Sequence, residues 1–208
     1  MNESKVREAI CTLGRSLFDR GYTHGTSGNV SVILDDGRLI VTPTHSSLGN
    51  LDPARLTVID PQGVVIDGPQ PSKELPLHNS LYRSRGEARA IVHLHSVHSV
   101  AVSMLPNIDP TDVFPPLTAY YLMTIGRTAL LPYFRPGDPQ VAHAISALEG
   151  RYSAILLANH GPVVAGTTLN EAGSAIEELE QTARLHLLTV GRTPMMIPQS
   201  EVMSLRIA

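Results

Sequence analysis

Two strand–turn–strand segments in the first third of the sequence restrict the fold most strongly. In the first, apolar β-branched runs lie on either side of Asp36-Gly37, a dipeptide that favours a tight hairpin turn. In the second, residues 57–59 and 64–66 flank a turn that ends in Gly63. Hairpins join antiparallel neighbours, whereas parallel strands need a long crossover. The sequence therefore predicts an antiparallel sheet.

The remaining elements alternate irregularly between helical and extended patterns. Helical spacing or capping residues predict helices over residues 6–20, 76–85, 96–105, 117–125, 139–149 and 168–191, and extended segments over residues 90–95, 129–134, 155–157 and 163–165. Hairpins interleaved with helices, without regular βαβ alternation, indicate an α+β layered fold. We expect one domain over residues 1–208, with a tail from about Pro194 that is mobile or contacts a partner.

Composition limits the class of protein. The 208 residues carry a formal net charge of -3, so no basic stripe for nucleic acid is expected. The first twenty residues mix charged and apolar positions, unlike a signal peptide, and no later run is long enough to cross a membrane. The single Cys11 has no partner for an internal disulfide. We expect a cytoplasmic protein.

A His-x-His motif, His93-Leu94-His95, lies in one of the predicted extended segments. Alternation along a strand would direct His93 and His95 to the same face. Two imidazoles on one face suit two ligands of a zinc ion. The alternative is a pair of buried histidines satisfied by ordinary hydrogen bonds.

His160 and Glu74 complete a candidate metal-binding set. His160 lies in a tight turn between two apolar strands, where Asp, Gly or Asn would be more usual. It is the natural third nitrogen ligand, and Glu74, at a loop-to-helix junction, is the natural carboxylate. Alternatively, Glu74 is a first-turn acid that complements the helix dipole. His78, four residues further along that helix, is either a hydrogen-bonding partner of a metal ligand or a surface residue, and the surface position is preferred.

Two polar loops are candidates for binding a phosphate group. Residues 25–31 and 42–47 combine small residues with hydroxyl and amide donors at strand ends, and each loop has a histidine beside or within it, His24 and His45. Ordinary turn chemistry needs the same residues. Neither loop matches a Walker or dinucleotide-binding pattern, so a nucleotide is not expected.

Five motifs occur in the order seen in the class II aldolase/adducin superfamily, which the chain resembles over roughly residues 5–190. They are Gly28-Asn29-Val30-Ser31, Thr42-Pro43-Thr44, Ser72-Lys73-Glu74, His93-Leu94-His95 and Asn159-His160-Gly161. The resemblance implies a three-layer α/β/α sandwich around a mainly antiparallel central sheet. It also implies a homotetramer with active sites between subunits, and zinc as the cofactor, with Mn²⁺, Co²⁺ or Fe²⁺ as alternatives.

The resemblance also assigns roles to residues. It makes His93, His95 and His160 zinc ligands and Glu74 a ligand that also serves as acid/base. A tyrosine from a neighbouring subunit, Tyr120 or Tyr121 with a slight preference for Tyr120, would be the proton donor. The residues expected to bind substrate are Asn29, Thr44, Ser46, Ser47, Ser72 and Lys73.

Two departures from the aldolase pattern refine the expected activity. His45 replaces a glycine and Lys73 replaces a serine. With Lys73, the motifs most resemble the branch described as 3-oxo-tetronate 4-phosphate decarboxylase. That branch implies decarboxylation to dihydroxyacetone phosphate and CO₂ through a metal-stabilised enediolate. The alternatives are a sugar-phosphate aldolase of the L-fuculose-phosphate type, an L-ribulose-phosphate 4-epimerase, or a non-catalytic adducin-like module.

Overall fold

A single eight-stranded sheet organises the computed structural model, which describes residues 2–207. The strands are β1 (Asn29–Ile33), β2 (Leu39–Val41), β3 (Thr57–Ile59), β4 (Val65–Asp67), β5 (Ala90–His93), β6 (Thr128–Leu131), β7 (Ala154–Leu157) and β8 (Gly161–Gly166). Their order is β4-β3-β2-β1-β5-β8-β7-β6, and β6–β7 is the parallel pair in an otherwise antiparallel sheet. The predicted mainly antiparallel sheet is confirmed.

Helices cover both faces of this sheet. They are α1 (Glu3–Asp19), α2 (Leu75–Ser84), α3 (Val97–Ser103), α4 (Ala119–Thr124), α5 (Gln140–Ser146), α6 (Leu169–Thr189) and α7 (Gln199–Leu205). One apolar core joins the sheet to α1, α3, α4, α6 and α7, and a second joins it to α2 and α5. The three-layer arrangement expected from the resemblance is therefore confirmed.

The alternation of side chains along β5 produces the two cores. Val92 belongs to the core with α6, whereas Ile91 belongs to the core with α2 and α5. Both faces of the central strands are buried, which explains their nearly continuous apolar sequences. His93 lies two residues after Ile91 and therefore faces the α2 side.

Three features differ from the sequence predictions. Strand β5 ends at His93, so His95 lies just beyond it. The β6–β7 pair is parallel because α5 forms a crossover between these two strands, a single βαβ unit that the sequence pattern did not predict. The segment after Pro194 includes helix α7, whose Val202 is buried, so part of the predicted tail is packed structure.

Within residues 2–207, no helix combines the length and apolarity needed to span a membrane.

Candidate metal centre

Glu74 is held at the start of α2. It is the N-cap residue of this helix, and Pro76 follows in the first turn. A proline fits there because backbone N–H groups in the first turn have no acceptor within the helix. The Ser72 hydroxyl oxygen accepts a hydrogen bond from the Glu74 backbone N–H at 3.2 Å. The carboxylate is only 5% exposed, so it needs partners inside the protein.

His93 is the last residue of β5 and is fully buried. Its Nδ1 lies 2.9 Å from the Pro162 carbonyl oxygen, which can only accept a hydrogen bond. The ring is therefore protonated at Nδ1, and its Nε2 is directed at Glu74 and His160. This partner on the second ring nitrogen is the usual arrangement for a metal-binding histidine.

Gly161 permits the close approach of His160 to His95. His160 lies in the turn between β7 and β8, directly before Gly161. Gly161 has a φ of 150°, and a Cβ added there would lie 2.2 Å from the Leu94 carbonyl oxygen. Only glycine allows the start of β8 to lie so close to the chain that carries His95.

The four side chains converge on one point. Nε2 of His160 lies 3.1 Å from Nε2 of His95 and 3.4 Å from Nε2 of His93. The Glu74 oxygens lie 3.1 Å from Nε2 of His160 and 3.3 Å from Nε2 of His93. All four candidate ligand atoms lie within 4.8 Å of one another.

These spacings fit a tetrahedral zinc site. Imidazole nitrogens bound to zinc at about 2.0–2.1 Å are separated by about 3.3 Å in tetrahedral geometry. The donor set of three imidazoles and one carboxylate also matches the ligand types that zinc prefers. The residues present therefore fit the ion that the resemblance implied.

The electrostatics favour the metal-binding states of Glu74 and His95; burial alone would lower the pKa of His93, but the Glu74 carboxylate raises it. Burial alone would raise the pKa of the Glu74 carboxyl, but His93 and His160 lower it well below its usual range. Burial, followed by the charges of His93 and His160, lowers the pKa of His95 to about 3. Glu74 is thus an anion and His95 neutral at physiological pH, as metal ligation requires.

A pocket of about 380 Å³ opens beside this cluster and includes Glu74 and His95 in its wall. Five of the predicted substrate-binding residues line it: Asn29, Thr44, Ser46, Ser72 and Lys73. The histidines of the two polar loops, His24 and His45, also line it. Ser47 does not, and instead precedes a short 3₁₀ helix at Leu48–Asn50. The structure thus brings both polar loops to the metal cluster.

The backbone at His45 has the conformation that favours glycine, the residue that the resemblance led us to expect there. Its φ is 58°, in the left-handed region that glycine adopts without strain. A histidine at this position costs about 1–2 kcal/mol relative to glycine in conformational energy. The chain keeps an imidazole at the pocket wall despite this cost.

The two candidate tyrosines differ sharply in environment. Tyr121 is fully buried, and its hydroxyl lies 3.0 Å from the Thr128 hydroxyl. Tyr120 is 72% exposed on α4. Neither lines the pocket of its own chain.

The expectation that His78 lies at the surface is wrong. The ring is fully buried on the face of α2 that packs against β1, with hydrogen-bonding partners in Asn29 and Ser31. A histidine in a helix gives no sign of burial until the strand opposite it is known. Arg135 was also missed, because its loop has no recognisable motif, and it lines a small cavity with Glu74 and His160.

Comparison with known proteins agrees with this geometry. Residues 8–187 match the model of the family described as Class II Aldolase and Adducin N-terminal domain. The 3-oxo-tetronate 4-phosphate decarboxylase of Haemophilus influenzae is 45% identical over 99% of this chain and 98% of its own. The L-fuculose phosphate aldolase of Methanococcus vannielii is 34% identical over 85% of this chain and 91% of its own.

A solved structure extends the likeness to three dimensions. The crystal structure of YgbL from Escherichia coli superposes with a TM-score of 0.95 at 42% identity, covering 99% of both chains. The family match, the relatives and the shared fold span nearly the whole sequence. The chain therefore belongs to the class II aldolase and adducin N-terminal domain family.

Proposed function

We propose that this protein is a lyase that decarboxylates 3-oxo-tetronate 4-phosphate to dihydroxyacetone phosphate and CO₂. The observation that carries the proposal is the Glu74, His93, His95 and His160 cluster, which opens onto a pocket with hydroxyl-bearing loops and Lys73. The name of the Haemophilus influenzae relative, 45% identical over nearly the full chain, supports the same activity.

The cluster would hold a divalent ion, with zinc favoured over Mn²⁺, Co²⁺ or Fe²⁺ by three imidazole donors. When bound, such an ion acts as a Lewis acid that stabilises negative charge developing on the substrate oxygens. The protein supplies the coordinating atoms, the pocket walls and the proton.

The reaction breaks the bond between C1 and C2 of the substrate. The carboxylate at C1 leaves as CO₂, and the bonding electron pair passes to C2, the C3 carbon and the C3 oxygen as an enediolate. Adding one proton at C2 gives dihydroxyacetone phosphate. The protein must therefore bind two anionic ends and deliver one proton.

Separate groups of the pocket suit the two anionic ends. Thr44, Ser46, Ser72 and Asn29 offer hydroxyl and amide donors for the phosphate, without a fixed positive charge. Lys73 supplies a positive charge beside Glu74 for the carboxylate.

For the proton, Glu74 is the acid/base on this chain, and since it is an anion in the free enzyme it must take up a proton before it donates one to C2. Tyr120 is the second candidate, contributed from the neighbouring subunit of a homotetramer. Its exposure on α4 supports that role, whereas Tyr121 is occupied by Thr128 in the core.

The alternative is aldol cleavage or epimerisation of a sugar phosphate, supported by the L-fuculose phosphate aldolase relative. Both reactions pass through similar anions, so the metal ligands do not separate them. Lys73 distinguishes decarboxylation from these two reactions, because a neutral sugar chain offers no carboxylate for its ammonium group to bind. An adducin-like module without catalysis would not need the full ligand set.

The test compares substrates and Lys73 variants in one preparation. We expect CO₂ release coupled to dihydroxyacetone phosphate formation from the oxo acid phosphate, and slow or no cleavage of L-fuculose 1-phosphate and L-ribulose 5-phosphate. Lys73→Met should raise KM for the oxo acid by roughly 10-fold or more, and Lys73→Arg should do so less. Rapid turnover of the sugar phosphates without decarboxylation would establish the aldolase alternative.

A further inference from the structure

A buried chain of hydrogen bonds leads from Glu74 into the protein. The Asn29 amide nitrogen donates to Oε2 of Glu74 at 2.8 Å. Oδ1 of Asn29 lies 2.5 Å from Nε2 of His78, and Nδ1 of His78 lies 2.6 Å from the Ser31 hydroxyl. Glu74 is the N-cap of α2 and His78 lies near the start of that helix, whereas Asn29 and Ser31 belong to β1. We call these four residues the relay.

The direction of every donor in the relay follows from Glu74. A carboxylate only accepts, so Asn29 must present its NH₂ group to Glu74 and its carbonyl oxygen to His78. That carbonyl oxygen also only accepts, so Nε2 of His78 must carry the proton. Nδ1 is then an acceptor, and the Ser31 hydroxyl must donate to it. One arrangement of hydrogens satisfies the whole relay.

The inner part of the relay, His78 and Ser31, is closed to solvent, and His78 stays neutral. His78 and Ser31 are fully buried, and Asn29 is 5% exposed. Burial, followed by the charge of His93, lowers the pKa of His78 to about 3, although Glu74 opposes this shift. The Tyr82 hydroxyl closes the inner end by donating to the Ser31 carbonyl oxygen at 3.0 Å. His78 is thus a fixed neutral dipole and not an acid/base group.

We propose that His78 is a positioning residue that fixes the Asn29 amide and thereby holds the Glu74 carboxylate against the three imidazoles. The proposal rests on the role of Glu74 in the proposed function. Without the donor at Nε2 of His78, the Asn29 carbonyl oxygen is buried without its partner, and the amide no longer has a fixed position. The Glu74 carboxylate would then lose a fixed donor and be held less firmly among the ligands.

The first test reads the tautomer of His78 directly. We would record ¹⁵N spectra of histidine-labelled protein reconstituted with zinc, and assign His78 by comparison with His78→Gln. The relay requires a neutral ring protonated at Nε2. A ring protonated at Nδ1, or at both nitrogens, would overturn the proposal whichever substrate the enzyme prefers.

The second test compares His78→Leu with His78→Gln. Leucine has no donor, whereas a glutamine amide can donate to Asn29 and accept from Ser31. We expect His78→Leu to weaken zinc binding by about 10- to 100-fold and to lower kcat with little change in KM. His78→Gln should recover most of both quantities. Ser80→Ala is the matched control, because Ser80 is buried on the same helix and its hydroxyl bonds to the Pro76 carbonyl oxygen and the Arg83 guanidinium, both outside the relay.

The outcomes separate positioning from general packing. Equal losses in the leucine and glutamine variants, both folded, would overturn the proposal, as would an equal loss in Ser80→Ala. If His78→Leu does not fold, Ser31→Ala replaces it, since the Asn29 carbonyl oxygen should keep His78 protonated at Nε2 even without the donor to Nδ1. A change of tautomer in Ser31→Ala would then overturn the relay. Zinc affinity and the tautomer are independent of the reaction, so failure of the proposed decarboxylation leaves this test intact.

Discussion

Replacing Gly161 with alanine should damage the metal centre more than the fold. A Cβ at this position would lie 2.2 Å from the Leu94 carbonyl oxygen and 3.1 Å from the His95 Cα, whereas side-chain Cβ atoms essentially never approach closer than 3.0 Å. The backbones that carry His160 and His95 must therefore separate by roughly 1 Å.

That displacement is large on the scale of metal coordination. Ligand distances in a working site are held to within about 0.2 Å. The Nε2 atoms of His95 and His160, now 3.1 Å apart, would move outside this tolerance. We expect Gly161→Ala to weaken zinc binding by at least about 100-fold, in line with the cost of 1 Å misplacements at active sites. The strained backbone should also lower the free energy of unfolding by about 1–3 kcal/mol.

Gly63 provides the matched control. It also has a positive φ, 87°, but a Cβ there would meet nothing within 4 Å. Gly63→Ala should therefore cost about 1–2 kcal/mol of stability and leave zinc affinity unchanged. Zinc titration of both variants by calorimetry, with thermal unfolding alongside, measures the two effects separately. Wild-type zinc affinity in Gly161→Ala would refute the reasoning.

Five further outcomes are expected. Glu74→Gln should lower kcat by about 100-fold or more while the protein stays folded, as measured by steady-state kinetics and circular dichroism. His45→Gly should relieve about 1–2 kcal/mol of backbone strain, seen in denaturant unfolding, yet raise KM because it removes an imidazole from the pocket wall. Tyr120→Phe should lower kcat by about 10-fold or more. Tyr121→Phe should chiefly lower the melting temperature, because its hydroxyl is paired with Thr128 in the core. Because burial lowers the pKa of His78 to about 3, the unfolded chain binds a proton there that the folded chain does not. The free energy of unfolding should therefore fall by about 2 kcal/mol between pH 8 and pH 5, and His78→Gln should lack this part of the decline.

The sequence was sufficient to predict the sheet type and the four convergent side chains. Hairpin turns such as Asp36-Gly37 are local signals, and β1 and β2 pair antiparallel on either side of it. The Glu74, His93, His95 and His160 set was found because its residue types are unusual at those positions. The expectation of one strand through His95 was wrong in detail, since pairing with β8 runs only as far as His93. The chain then bends while the side chains still converge.

The relay was beyond the sequence for a physical reason. His78 is four residues from Glu74, which gives helical proximity but says nothing about what covers the helix. Its burial depends on β1 lying opposite α2, a contact between residues about fifty positions apart in the chain. For the same reason the parallel β6–β7 pair was missed, because the pattern of each strand alone does not reveal its neighbour.

The charge of the pocket bears on which reaction the ligands serve. Among the described residues that line it, Glu74 is the single acid, and Lys73 adds a cation beside it. Three neutral imidazoles and one carboxylate leave a divalent ion with net positive charge, so the ion and Lys73 together attract anions from two sides. A sugar phosphate satisfies this field at one end only. A substrate with a carboxylate and a phosphate satisfies it at both ends, and loss of CO₂ removes one of those charges from the pocket. Release of the less charged product is then favoured. This gives a physical reason for Lys73 in a decarboxylase, and the same reason does not apply to an aldolase.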